Sequence, residues 1–176
     1  MEGIKFAAGR DVVAYINQID NSFNVFYKGE IFKLDDFAPA SYKVGDEFVA
    51  YVDAMGEFKV FYKGKILKAS SFTPEAYYAE DNLLLFTEYE YFKLFYKGEV
   101  FEVEPYIPKN FKLDWNTVAY LDNSNRIWLF SKGEKKFLSN DLINTFDIYR
   151  DLIQMNVKVD KNVTYYRGEF IEGSSM

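Results

Sequence analysis

Met55, Tyr89, Tyr91 and Arg126 stand in short connections where one copy of a repeated unit departs from the next. Large side chains that are rigid or make several hydrogen bonds are typical anchors of a binding surface. Trp115, Arg10 and Arg150 form a second group, an aromatic and two cations before equivalent turns, suited to stacking a sugar or a peptide side chain. Paired carboxylates, Glu88 with Glu90 or Asp20 with Glu57, are the acid–base chemistry that remains. They read as charged residues in short loops, without the apolar surroundings that would raise one pKa. The reading is therefore non-enzymatic, with no catalytic residue, metal or cofactor assigned.

Composition narrows the chemistry further. The chain has no Cys and no His, which removes thiolate catalysis, disulfides, the Ser-His-Asp triad and zinc sites built on imidazole or sulfur. Its 21 Lys and Arg against 27 Asp and Glu leave a net charge of −6, with no basic surplus for a phosphate backbone or an anionic membrane. Nucleic acid is not expected as a partner. At 176 residues, 49% of them hydrophobic, the chain suits one domain with one sizeable core, spanning 1–176. It has no apolar run long enough for a membrane helix, and Met1–Phe6 does not read as a signal peptide, so the compartment stays open.

These residues sit on a periodic framework. Phe26-Tyr27-Lys28-Gly29 returns as Phe61-Tyr62-Lys63-Gly64, Phe95-Tyr96-Lys97-Gly98, Phe130-Ser131-Lys132-Gly133 and Tyr165-Tyr166-Arg167-Gly168, with glycine spacings of 35, 34, 35 and 35. Asp11, Asp46, Asp81, Asn116 and Asp151 make a second column, and Tyr42, Tyr77, Phe111 and Phe146 a third. Pro39, Pro74 and Pro108 make a fourth. Five repeats follow, at about 4–36, 37–71, 72–105, 106–140 and 141–173, with a short polar tail at Ser174–Met176.

Each repeat reads as four short strands. In the second they are A (Tyr42–Val44), B (Phe48–Asp53), C (Phe58–Tyr62) and D (Ile66–Ala69), rich in β-branched and aromatic residues and bounded by turn residues. Strand C is apolar on both faces, Phe58, Val60 and Tyr62 on one and Phe61 on the other, so its sheet must lie between two others. Radially packed blades meet that requirement.

The order of Asp turn, apolar strand, short loop, apolar strand ending in Gly, and third strand resembles blades of the WD-repeat and TolB-like propeller families over the whole chain. The Trp-Asp and Gly-His pairs of WD repeats are missing, and the unit is shorter than WD blades. The WG-repeat family has units of similar length and is the second resemblance, without its Trp-Gly pair here. The resemblance implies an all-β fold, a five-bladed or partial β-propeller. With strand A starting at Ile4–Phe6 and strand D ending at Glu169–Ile171, no strand is left to complete another blade. A longer array, or self-association of two chains, is the expectation if the ring is incomplete. The aromatic and lysine alternation resembles that of bacterial surface and periplasmic repeat proteins.

In such blades the A–B and C–D turns share one rim, and the B–C and D–A links the other. The cations Lys28, Lys63, Lys97, Lys132 and Arg167 read as solvated turn residues, because Glu follows two residues after four of them. The Asp column reads as turns in which Asp or Asn bonds its own backbone amides, not as a metal ring. Trp128 reads as blade packing. The B–C loops differ from copy to copy, which suits one asymmetric protein partner. The expected function is an interaction module using one rim, with a lectin-like carbohydrate-binding propeller as the alternative and a glycoside hydrolase behind both.

Overall fold

The computed structural model describes residues 6–158 and 161–173. Every regular element among them is a strand, and the strands form five four-stranded antiparallel meanders in sequence order. Blade 1 holds β1 (Phe6–Ala8), β2 (Val12–Ile16), β3 (Phe23–Tyr27) and β4 (Glu30–Asp35). Blade 2 holds β5 (Ser41–Val44), β6 (Phe48–Val52), β7 (Phe58–Tyr62) and β8 (Lys65–Ser70). Blade 3 holds β9 (Ala76–Glu80), β10 (Leu83–Glu88), β11 (Tyr91–Tyr96) and β12 (Glu99–Glu104). Blade 4 holds β13 (Phe111–Asp114), β14 (Thr117–Leu121), β15 (Ile127–Ser131) and β16 (Glu134–Ser139). Blade 5 holds β17 (Thr145–Tyr149), β18 (Leu152–Lys158), β19 (Lys161–Tyr166) and β20 (Glu169–Gly173).

These are the repeats of a partial β-propeller, and strand C of the second repeat keeps the bounds read from sequence. Ile4 and Lys5, expected in the first strand, and the tail at Ser174–Met176 lie outside the described residues. The chain divides into two compact units, Met1–Pro105 with blades 1–3 and Tyr106–Met176 with blades 4 and 5.

In the first unit blade 2 is sandwiched, as its two apolar faces require. Phe48, Ala50, Val52, Phe58 and Val60 pack against Leu84, Phe86 and Phe95 of blade 3. Val49, Tyr51 and Phe61 pack against Val12, Ala14, Phe23 and Val25 of blade 1. The strand A aromatics seal these seams, Tyr42 at 5.0 Å from Phe23 and Tyr77 at 5.0 Å from Phe58. Full burial of each such side chain contributes roughly 1.5–3 kcal/mol.

In the second unit Ala119, Leu121, Ile127 and Leu129 of blade 4 meet Ile153, Met155, Val163 and Tyr165 of blade 5. The opposite face of blade 5 is polar. Gln154, Asn156, Asn162 and Thr164 take the places of Ala119, Leu121, Ile127 and Leu129, and Asn156 both accepts from Asn144 and donates to Asn162 at 3.2 Å.

Two turn types hold the strands in register. At every C–D hairpin both central residues have positive φ, from Lys28 (50°) and Gly29 (87°) to Arg167 (48°) and Gly168 (102°), the backbone of a type I′ turn. The cation thus shares the left-handed backbone with the glycine. Strand pairing also corrects the Asp column. Val12, Phe48, Leu83, Thr117 and Leu152 pair with the last residue of strand C, so they are equivalent. One residue earlier stand Asp11, Glu47, Asn82, Asn116 and Asp151, and two earlier Arg10, Asp46, Asp81, Trp115 and Arg150. The sequence column mixed these two positions, because the first repeat spacing here is 36 and not 35.

The carboxylates of this column mostly face cations: Arg10 reaches Asp46 at 3.3 Å, and Arg167 donates to Asp151 at 3.1 Å. Backbone bonds instead tie neighbouring turns, Asp11 N–H to Asp46 C=O at 2.9 Å and Asp46 N–H to Asp81 C=O. This close approach explains Gly45, where a Cβ would lie 2.5 Å from the Asp81 carbonyl oxygen.

Candidate functional site

The B–C and D–A rim of the first unit carries exposed apolar side chains. Ile19 and Met55 lie in B–C loops and are almost wholly exposed, at 96% and 87%. Phe37 and Phe72 lie in D–A links and are exposed as well. Phe72 packs edge-on to Tyr89 at 5.1 Å, joining the end of blade 2 to the B–C turn of blade 3. Thr73 donates its hydroxyl to the Gly56 carbonyl at 2.9 Å, which holds the same link against the turn that bears Met55. Met55, Phe72 and Tyr89 thus belong to one connected stretch of rim. Phe72 had escaped the reading from sequence. Its signal was there: Phe37, Phe72, Ile107 and Leu142 recur every 35 residues, all exposed and all apolar.

Tyr89 and Glu90 form a two-residue turn with φ of 48° and 70°. Tyr91 is the first residue of β11 and not a loop residue, with the Lys93 ammonium 5.5 Å from its ring. Arg126 is tied into its own turn, its Nε donating to Asp122 at 2.9 Å. On the other rim of the first unit, Arg10 meets Asp46 and Glu47 at 3.3 and 3.4 Å. In the second unit Trp115 and Arg150 come together, the guanidinium 5.9 Å from the indole ring.

The expected acid–base pairs take another form. Glu88 is the last residue of β10, buried, and not a loop residue. Burial works to raise its pKa, but the Lys93 ammonium at 2.6 Å and the Ser70 hydroxyl outweigh it and hold the carboxyl below the ordinary range. Glu90 is exposed. Asp20 is likewise lowered, by the hydroxyl and amide of Ser22, and Glu57 by Lys68 and Lys59.

Glu88 belongs to a structural column with Asp53 and Asp122, all buried at the end of strand B. Asp53 accepts from the Met55 and Glu57 amides and from Lys59. Asp122 accepts from the Ser124 and Arg126 amides, the Arg126 side chain and the Trp128 indole. Asp53 and Asp122 therefore close their B–C turns, whereas Glu88 ties the end of β10 to Lys93 of β11 and Ser70 of β8. The C–D cations lie over the ring of the preceding tyrosine, Lys28, Lys63, Lys97 and Arg167 at 5.1 to 5.3 Å.

The model of the 10-bladed beta propeller domain family matches residues 1–170. The chain belongs to this family. Among curated proteins none matches it. The chain is also similar to solved structures. The CRINKLY WD40 ectodomain of the Arabidopsis thaliana receptor kinase ACR4 is 8% identical with a TM-score of 0.46, over 100% of this chain and 69% of that one. Human WBSCR16 is 6% identical with a TM-score of 0.46, over 93% and 62%. The designed protein Ika8 is 13% identical with a TM-score of 0.43, over 96% of this chain. The chain spans 60% of the length of Ika8.

Proposed function

We propose that this chain is a non-enzymatic interaction scaffold that seats a protein partner on the B–C and D–A rim of its first unit. The observation that carries this reading is the connected exposed stretch Met55, Phe72 and Tyr89, flanked by Tyr91. Exposed aromatic and Met side chains on a rigid β scaffold are the composition of protein-binding hot spots. The opposite rim offers mainly charges that already pair with one another, such as Arg10 with Asp46 and Glu47. The non-enzymatic part is supported by the buried carboxylates Asp53, Glu88 and Asp122, whose pKa values lie below the ordinary range. A general acid needs the opposite shift.

The test places a photo-crosslinking amino acid at position 55 or 72, and at position 66 on an outer strand as control, in the organism that makes the protein. Rim positions should give one protein adduct that the control lacks. The purified partner should then bind wild type at least tenfold more tightly than Tyr89→Ser. Equal adducts from all three positions, or equal affinity for Tyr89→Ser, would overturn the proposal.

A further inference from the structure

One corner of the second unit breaks the repeat in three places at once. Strand C ends in tyrosine at Tyr27, Tyr62, Tyr96 and Tyr166, but in Ser131 in blade 4. Facing it, strand B begins with Val12, Phe48, Leu83 and Leu152, but with Thr117 in blade 4. On strand D the places of Phe32, Leu67 and Phe101 are taken by Lys136. Each change replaces an apolar or aromatic group by a more polar or charged one, with loss of volume at Ser131, and all three residues line one cleft of about 610 Å³.

In the first unit the equivalent corners are filled. Tyr27 lies 5.8 Å from Phe61, and Tyr62 5.7 Å from Phe95. The emptied space is visible at the glycines of the next blade. A Cβ on Gly98 would touch Tyr62 at 3.4 Å and one on Gly64 would touch Phe32 at 3.7 Å, whereas one on Gly168 would meet nothing within 4 Å.

The cleft is furnished as well as empty. The Thr117 and Ser131 hydroxyls lie 3.2 Å apart. Lys136 donates to the Tyr165 hydroxyl at 2.9 Å, and Tyr165 stands where blades 2 and 3 have Phe61 and Phe95. Lys132 and Arg167 add two cations to Lys136, and two acids line the cleft with them, Asp151, which already accepts from Arg167, and Glu134, so that one positive charge is left in excess. Trp115, 48% exposed, borders the opening, with the Arg150 guanidinium 5.9 Å from its ring.

We infer that this corner between blades 4 and 5 is a binding site for a carboxylated sugar ring of the uronic acid type. An exposed indole stacks on the C–H face of a pyranose, paired hydroxyls exchange hydrogen bonds with ring hydroxyls, and Lys and Arg hold a carboxylate through charge-assisted bonds. The volume lies within the roughly 300–1,000 Å³ of small-molecule sites. Independent drift explains the corner less well, since three neighbouring positions turn from apolar to polar together and the space they vacate stays open. The site is separate from the proposed rim and does not depend on it.

The full chain is titrated with trigalacturonate, with maltotriose as the neutral sugar and with acetate as the bare carboxylate, by calorimetry and by the indole N–H resonance of Trp115. Trigalacturonate should shift that resonance and bind at least tenfold more tightly than either control. The Ser131→Tyr/Lys136→Phe variant restores the repeat pattern, fills the corner, and should abolish binding while keeping the fold. Should that variant misfold, Trp115→Asn, at an exposed turn position whose positive φ suits Asn, should weaken binding at least fivefold. The rim variant Tyr89→Ser should bind trigalacturonate like wild type. Absence of trigalacturonate binding, an equal response to maltotriose or acetate, or unchanged binding in the filled variant or in Trp115→Asn would overturn the inference.

Discussion

The Trp128 indole donates its N–H to the Asp122 carboxylate at 3.1 Å, at the strand C position where blades 2 and 3 carry Lys59 and Lys93. All three side chains solve one problem, a carboxylate buried at the end of strand B. A lysine neutralises the charge directly, as Lys59 does for Asp53. Tryptophan only donates a hydrogen bond, and the charge is supplied by Arg126 at 2.8 Å. Trp128 also packs at a tilt against Phe137, with ring centroids 4.9 Å apart, so it packs within its own blade.

Asp122 should make stability acid-sensitive. Burial alone would raise its pKa, but the Arg126 amide, the Trp128 indole and the Arg126 guanidinium prevail and hold it at about 2, against 3.8 for an exposed aspartate. A depressed folded pKa stabilises above the unfolded value and is lost as pH falls through the folded one. The contribution, up to ~2 kcal/mol, should be complete above about pH 4 and vanish toward pH 2. Urea midpoints of wild type and Asp122→Asn, measured from pH 7 to pH 2, should converge at the acid end. Parallel profiles would contradict this assignment.

The hairpin turns carry a correctable strain. Lys63 has φ of 49° beside Gly64, and Lys is a poor occupant of that backbone region, whereas Asn visits it readily. Lys63→Asn should stabilise the first unit by ~0.5–1 kcal/mol, because the contacts it loses, the 3.6 Å pair with Glu47 and the ammonium 5.1 Å from the Tyr62 ring, are made by a half-exposed cation and are each worth little. A thermal melt reads the sign: a lowered midpoint would mean that the cation contributes more than the turn strain costs.

The blades were legible in the sequence because a strand apolar on both faces has one solution, burial between two sheets, and Phe61 and Val60 obey it. The Lys-Gly hairpins were legible for the same kind of reason, since positive φ leaves a strong preference. Less was legible where spacing shifts by one residue. Gly9 and Gly45 lie 36 apart, so a strict 35-residue column placed Asp46 opposite Asp11, whereas strand pairing places Glu47 there. The buried acids were missed for another reason. Glu88 next to a turn looks solvated in sequence, and only the partners Lys93 and Ser70, five and eighteen residues away, reveal that it is buried.

Gly45 should be intolerant of any side chain. A Cβ there would lie 2.2 Å from the Phe48 ring and 2.5 Å from the Asp81 carbonyl oxygen, and that oxygen is fixed by its bond to the Asp46 amide. Gly45→Ala should destabilise the first unit by about 1–3 kcal/mol, the usual effect of overpacking. Hydrogen exchange at the Asp11 and Asp46 amides should accelerate with it. Wild-type protection of both amides in the variant would show that the turns relax without separating.

Phe26 and Phe61 occupy the same place in successive repeats, and their costs of truncation should differ widely. Phe61 is fully buried, because blade 1 covers the face on which it stands, and it packs 5.8 Å from Tyr27 and 5.2 Å from Phe32. Phe26 is 44% exposed on the outer face of blade 1, where it pairs with the still more open Ile31. Phe61→Ala removes a core ring and leaves a cavity, which costs ~3–5 kcal/mol. Phe26→Ala removes half-hydrated surface and should cost about 1 kcal/mol or less. Urea titrations of the two variants separate these outcomes directly. A cost for Phe26→Ala near that of Phe61→Ala would mean that the outer face of blade 1 is covered in solution, and the loss should then grow with protein concentration if the cover is a second copy of the chain.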